Sequence, residues 1–203
     1  ELMTHLQNHP FIVDIAVVNP IMPVIAGRET EMPFSTISSL LAYGGEKDAD
    51  LGDLGLIYEK CISGNSAEEL NARMMEIIHI IHSSIGTGLK GTQYADRILP
   101  QQSHLIREAE NEGRIRESVV NRIIENVSAL MESKSAMEVV VAAPTAGSCG
   151  TLGGALKAIS DSIGSSDEEL VKAWFAAGIV GAYFAQGPGF SAEENGCQVE
   201  CGA

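Results

Sequence analysis

Apolar residues recur at helical spacing along most of the chain, and polar residues mark where each run begins and ends. The clearest run follows Ser66, where Leu70, Met74, Ile77, Ile78 and Ile81 fall on one face of a 3.6-residue repeat. Ser66 and Glu69 form a capping box ahead of it, each satisfying a backbone N–H that a first helical turn leaves open. The same box recurs at Ser166 and Glu169, opening DEELVKAWFAAGIVGAYFAQG. Ser35 or Thr36 caps an earlier helix expected to end near Gly44 and Gly45, and Asp50 caps LGDLGLIYEKCI, with Gly64 as its stop. The helix from Ser66 is expected to run out at Gly86 and Gly88, leaving GTGLKGTQYADRILP as a loop that ends at Pro100. Periodicity predicts further helices at about 102–112 and 118–133, and SCGTLGGALKAISDSIG as a helix opening from a Gly-rich turn.

Other stretches depart from that pattern. FIVDIAVV at 11–18 is β-branched and apolar, the best strand candidate, and Pro20, Pro23 and Pro33 then impose an extended or turning path. Residues 1–34 therefore read as an arm or small lead-in, and 35–203 as the helical domain. MEVVVAAP reads as a strand or a buried helix end, and GPGFSAEENGCQVECGA as a closing loop. The expected class is mainly α: a buried helical bundle with Gly-rich loops and a short extended N-terminal arm. Small residues on several faces of ALKAISDSIG and AWFAAGIVGAYFA point to burial between neighbours.

Composition narrows the function classes. Of 203 residues, 45% are apolar and 20% charged, enough for a packed core and against global disorder. The formal net charge of −14 repels phosphate backbones and argues against nucleic-acid binding, but not against a small zwitterion. The longest apolar stretch, 11–26, carries Asp14, Asn19, Pro20 and Pro23, so no membrane span is expected. No signal peptide is visible, and the first residue is Glu1, so the encoded N-terminus is expected to lie upstream. Three of the four cysteines sit in Gly-rich segments of the C-terminal third, not spread as staples over a small core, which favours a reducing cytoplasm.

Chemistry concentrates in two segments. In APTAGSCG (143–150) a proline ends one element, Gly147 permits a tight turn, and a helix starts near Cys149. The N–H groups and positive dipole end of that helix suit a substrate carboxylate, with the Thr145 and Ser148 hydroxyls as further donors. The same position is expected to lower a thiol's pKa toward the metal-binding thiolate. An ordinary turn with a small buried cysteine is the bland alternative. In GCQVECG (196–202) Cys197 and Cys201 stand four residues apart, on one side if the segment is helical. Taken alone, that spacing favours a disulfide or two unrelated core thiols, while three thiolates from two distant loops suit a cluster with one open iron. Glu200 between them is a candidate base or a group supporting the ligands, or a solvated helix residue.

APTAGSCG, the helix ending AAGIVGAYFA, and GCQVECGA together resemble the alpha region of iron–sulfur-dependent L-serine dehydratases, over about residues 66–203. The resemblance implies a 4Fe–4S cluster with an open iron acting as Lewis acid on the serine hydroxyl, and conversion of L-serine to pyruvate and ammonia. It carries Cys149 and Cys197 over as ligands, with Cys201 the available third. It also implies a beta region on the same or another chain, and a homo-oligomer. A GL-x-G type segment near Lys90 and His104 lines the active region in the family, so Lys90 is a substrate-binding candidate and His104 a catalytic one. This chain has Ala146 where many members have asparagine, lacks an SSHT-type motif, and stops shortly after its GCQxE segment. A fragment so bounded is expected to be inactive alone. A cysteine desulfidase-like lyase and a non-catalytic metal-binding or regulatory module are the competing readings. His79 and His82, three apart, are read as one exposed and one packed histidine, and Cys61 as a core thiol.

Overall fold

The computed structural model describes residues 9, 11, 12, 32–186, 196 and 198–202, the side chain of Cys201 excepted. Residues 13–18 of the strand candidate at 11–18, and most of the expected arm, lie outside these residues, and Phe11 and Ile12 belong to no regular element. Among the described residues every regular element is helical: α1 Ile37–Lys47, α2 Leu51–Ser63, α3 Ala67–Lys90, α4 His104–Asn111, α5 Val119–Ser135, α6 Cys149–Ile163, α7 Asp167–Gln186 and α8 Gln198–Gly202. None of the described helices is long and apolar enough to cross a membrane.

The helix starts follow the caps in the sequence. Thr36, Asp50 and Ser66 each complete a capping box, and Ser166 with Glu169 does the same for α7. Gly64 and Gly164 end α2 and α6 in the left-handed conformation. Two expected ends are displaced. The first helix passes through Gly44 and Gly45 to Lys47, where Asp48 takes the left-handed cap. The third passes through Gly86 and Gly88 to Lys90. The reason at Gly88 is packing: a Cβ there would overlap the carbonyl oxygen of Ala129. The missing side chain lets α3 lie directly on the α5 backbone, and that contact outweighs glycine's helix penalty of about 1 kcal/mol.

The other main contacts use the same device. A Cβ at Gly55 would overlap the Phe175 carbonyl where α2 crosses α7, and one at Gly154 would lie 2.6 Å from Val127 N where α6 crosses α5. Around these crossings Ile78, Ile81, Ile85, Leu130, Trp174 and Phe175 form the principal core, joined by Cys149. Phe34, Leu40, Leu54 and Ile179 form a second core that seats α1 on α2 and α7.

MEVVVAAP is neither strand nor helix end. The chain leaves α5 at Ser135 and runs irregularly to α6. No strand lies beside it among the described residues, and the Val139 carbonyl is taken up by a side chain instead: Ser84 Oγ donates to it at 2.5 Å. Val140 and Val141 pack on the principal core. The short-range pattern is that of a strand, and tertiary packing overrides it.

A buried carboxylate organises the approach to α4. Glu132 on α5 is 0% exposed and accepts from Gln102 N (2.8 Å), Ser103 N (2.7 Å) and Ser103 Oγ (3.0 Å). Ser103 makes no cap bond for α4 with its own side chain, and Glu132 instead holds the two N–H groups just ahead of the helix. Glu132→Ala is expected to lower stability by about 3 kcal/mol, because it strands these donors. Urea unfolding checks this, and a loss well under 1 kcal/mol would mean that water replaces the carboxylate.

Candidate active site

The turn before α6 is built on Thr145. Its Oγ1 accepts from Gly147 N (3.1 Å) and Ser148 N (3.4 Å), and lies 3.3 Å from Ser148 Oγ. Two N–H groups that the sequence suggested for an anion are therefore held inside the turn. Ser148 makes no side-chain cap bond at the start of α6. A hydroxyl that accepts twice keeps one proton to donate, which here is shared with Ser148 or offered outward.

Cys149, the first residue of α6, is 1% exposed and its Sγ lies 4.0 Å from Met131 Sδ. Burial pushes its thiol above the usual cysteine range, while the charge of Lys134 and the residue's own backbone N–H pull the other way without prevailing. This corrects the expectation of a lowered thiol pKa. The helix N-terminus is present, but apolar packing against α5 dominates it.

The last helix brings the second segment to this turn. Residues 198–202 are helical, where the sequence suggested a loop, and Glu200 is half-buried. A Cβ on Gly147 would lie 2.6 Å from Glu200 Oε1 and 3.3 Å from Thr145 Oγ1. Gly147 thus has no side chain because the Glu200 carboxylate occupies that space. Glu200 thus meets the turn at Gly147, although about fifty residues separate the two segments. Cys197 lies outside the described residues, and Cys201 is placed by its backbone alone, in α8 next to Glu200. Among the described residues no group of three His, Cys, Asp or Glu side chains is set to hold a metal ion.

The remaining candidates lie elsewhere on the scaffold. Lys90 is exposed at the end of α3 and His104 is exposed at the start of α4. His79 is exposed and His82 half-buried. Burial, helped by Lys157, holds the His82 imidazole below its usual range. Cys61 is half-buried, not a core thiol, because the deep face of α2 is given to Gly52, Leu54 and Gly55. Sequence reasoning passed over Met131 and Lys134. Their i,i+3 spacing at the end of α5, just ahead of APTAGSCG, is the signal that could have found them.

A family model described as serine dehydratase alpha chain matches residues 24–203. A Bacillus subtilis (strain 168) protein named "Probable L-serine dehydratase, alpha chain" is 22% identical over 171 residues, covering 84% of this chain and 57% of the relative. A Streptomyces coelicolor protein named "L-serine dehydratase" is 25% identical over 201 residues, covering 95% of this chain and 43% of the relative. The chain spans about half the length of the relatives it matches.

Proposed function

The chain belongs to the serine dehydratase alpha-chain family, and we propose that it is the cluster-binding, catalytic part of an iron–sulfur-dependent L-serine ammonia-lyase that forms pyruvate and ammonia. The observation that supports this reading is the seating of Glu200 beside Gly147, in the turn that leads into α6 and Cys149. Soft thiolate donors of this kind suit an iron–sulfur cluster. Cys149, Cys197 and Cys201 would hold it, and the apolar wall of Met131 would shield it from water. The buried thiol is consistent with this assignment, since a metal takes up cysteine as thiolate and displaces the proton that burial favours.

When bound, the cluster supplies a Lewis acid that eases departure of the serine hydroxyl. The chain's own residues do the rest. Thr145 and Ser148 hold the substrate at the turn through their hydroxyls. The Glu200 carboxylate is placed at the same turn to take the Cα proton, the second requirement of the elimination. Lys90 and His104 flank the loop 91–103 and are assigned substrate binding and catalysis by the family resemblance alone. The assembly works with a beta region that completes the substrate pocket.

Thr145→Ala is expected to raise KM for L-serine about tenfold, the equivalent of one hydrogen bond, while iron content stays unchanged. Thr145→Ser should restore KM, and steady-state kinetics on the complete, anaerobically loaded protein check this. The same preparation tests the function itself. Ammonia and pyruvate released from L-serine support the reading, whereas sulfide released from L-cysteine in preference would assign a desulfidase. Iron and sulfide binding with neither activity would leave a non-catalytic module.

A further inference from the structure

A cavity of about 370 Å³ opens where α2, α3 and α7 meet. That falls within the size of small-molecule sites, which run from about 300 to 1,000 Å³. Its floor is apolar, made by Leu56 of α2, Met75 of α3, and Val171 and Phe175 of α7. These side chains belong to the principal core or pack on it, so the cavity cuts into the edge of that core. Its walls are fixed in advance. A Cβ on Gly52 would lie 2.6 Å from the Lys172 carbonyl oxygen, and one on Gly55 would overlap that of Phe175. α2 and α7 therefore meet backbone to backbone beside the cavity, and a ligand need not order it.

The rim carries negative charge. Asp53 comes from α2, and Asp167 and Glu168 from the first turn of α7. Among the described residues that line the cavity Lys172 is the one cation, and its ammonium is already shared by Asp50 at 2.8 Å and Asp53 at 2.9 Å. Asp167 and Glu168 form no ion pair among the described residues. An anionic ligand would meet uncompensated carboxylates there. An apolar chain that ends in a cation matches both floor and rim. Exposed carboxylates contribute little each, so they select the sign of the head group while burial of the chain supplies most of the affinity.

The cavity is separate from the turn at Cys149. α6 starts at that turn and ends just ahead of Asp167, and a helix of its 15 residues is about 20 Å long.

We propose that this cavity binds a small organic ammonium, a short apolar chain bearing a primary amine and no carboxylate. The chain lies on the apolar floor, and the ammonium faces Asp167 and Glu168. An amino acid is disfavoured as its ligand, because the carboxylate would sit among like charges. The inference does not depend on the function proposed above.

Calorimetric titration of the complete protein at constant ionic strength compares n-butylammonium, butyrate and n-butanol. The double variant Asp167→Asn/Glu168→Gln removes the rim charges. Glu108→Gln/Glu117→Gln, which removes two exposed charges near α4, is the control for overall charge. The wild type and the control should bind n-butylammonium about fivefold more tightly than n-butanol, the upper worth of an exposed ion pair, and butyrate more weakly than either. The rim variant should lose that preference and bind n-butanol as before, which shows the cavity intact. Absence of saturable n-butylammonium binding, equal binding of butyrate, or an equal loss in the rim variant and the control would overturn the proposal. Nα-acetyl-L-lysine amide carries the same ammonium on a blocked residue. Its binding more tightly than n-butylammonium would give the cavity to a lysine side chain of another chain, and would overturn the assignment to a small molecule.

Discussion

Cys149→Ser in the complete protein is expected to lower turnover of L-serine by at least about 1,000-fold and to reduce bound iron in the same sample. Cys149 is fixed by the first turn of α6 and by Met131, so the backbone around it should survive the exchange of sulfur for oxygen. What is lost is the thiolate, and with it both a ligand and the placement of the Lewis acid. Cys61→Ser is the matched control, since its half-buried place on α2 is remote in sequence from both segments. It should leave iron and turnover intact. Cys201→Ser then discriminates, behaving like Cys149→Ser if Cys201 is the third ligand and like Cys61→Ser if it is not. Iron and pyruvate measured together check all three, and full iron with full activity in Cys149→Ser would remove that residue from the ligand set.

Gly88→Val is expected to cost about 3 kcal/mol or more, at the upper end for overpacking, or to prevent folding. The new Cβ would meet the Ala129 carbonyl, and neither backbone can step aside without parting α3 from α5. The damage reaches the site, because Ser84 and Ser133 join these helices and Ser84 also holds Val139 in the segment leading to the turn. Gly86→Ala, two residues away, meets nothing within 4 Å. It should be neutral or stabilise by about 0.5–1 kcal/mol, the difference between alanine and glycine in a helix. Thermal or urea unfolding of the pair checks the contrast, and equal effects at both positions would show that the close α3–α5 approach does not support the fold.

That contrast also explains what could be read from the chain in advance. Helix starts at Thr36, Asp50, Ser66 and Ser166 were legible because a cap acts on its own first turn, within four residues. Ends near Gly44 and Gly88 were misplaced because glycine has two uses, as a stop and as a point of close approach. Only the partner, Leu54 or Ala129, distinguishes them. The run VVV carries strand propensity but finds no partner strand among the described residues. In the site, the turn at Thr145 was local and legible. Its internal hydrogen bonds to Gly147 and Ser148 were not, nor was the meeting of Gly147 with Glu200, a long-range contact that no spacing encodes. The Cys149 thiol was misjudged because a helix N-terminus is visible in sequence whereas burial against Met131 is not.

The most direct test of the central claim is pyruvate formation from L-serine by the complete protein, followed as iron and sulfide are restored to an iron-free preparation under anaerobic conditions. Pyruvate formation should rise in proportion to bound iron and sulfide and remain absent without them. Turnover in iron-free protein, or none at full cluster loading, would contradict the account.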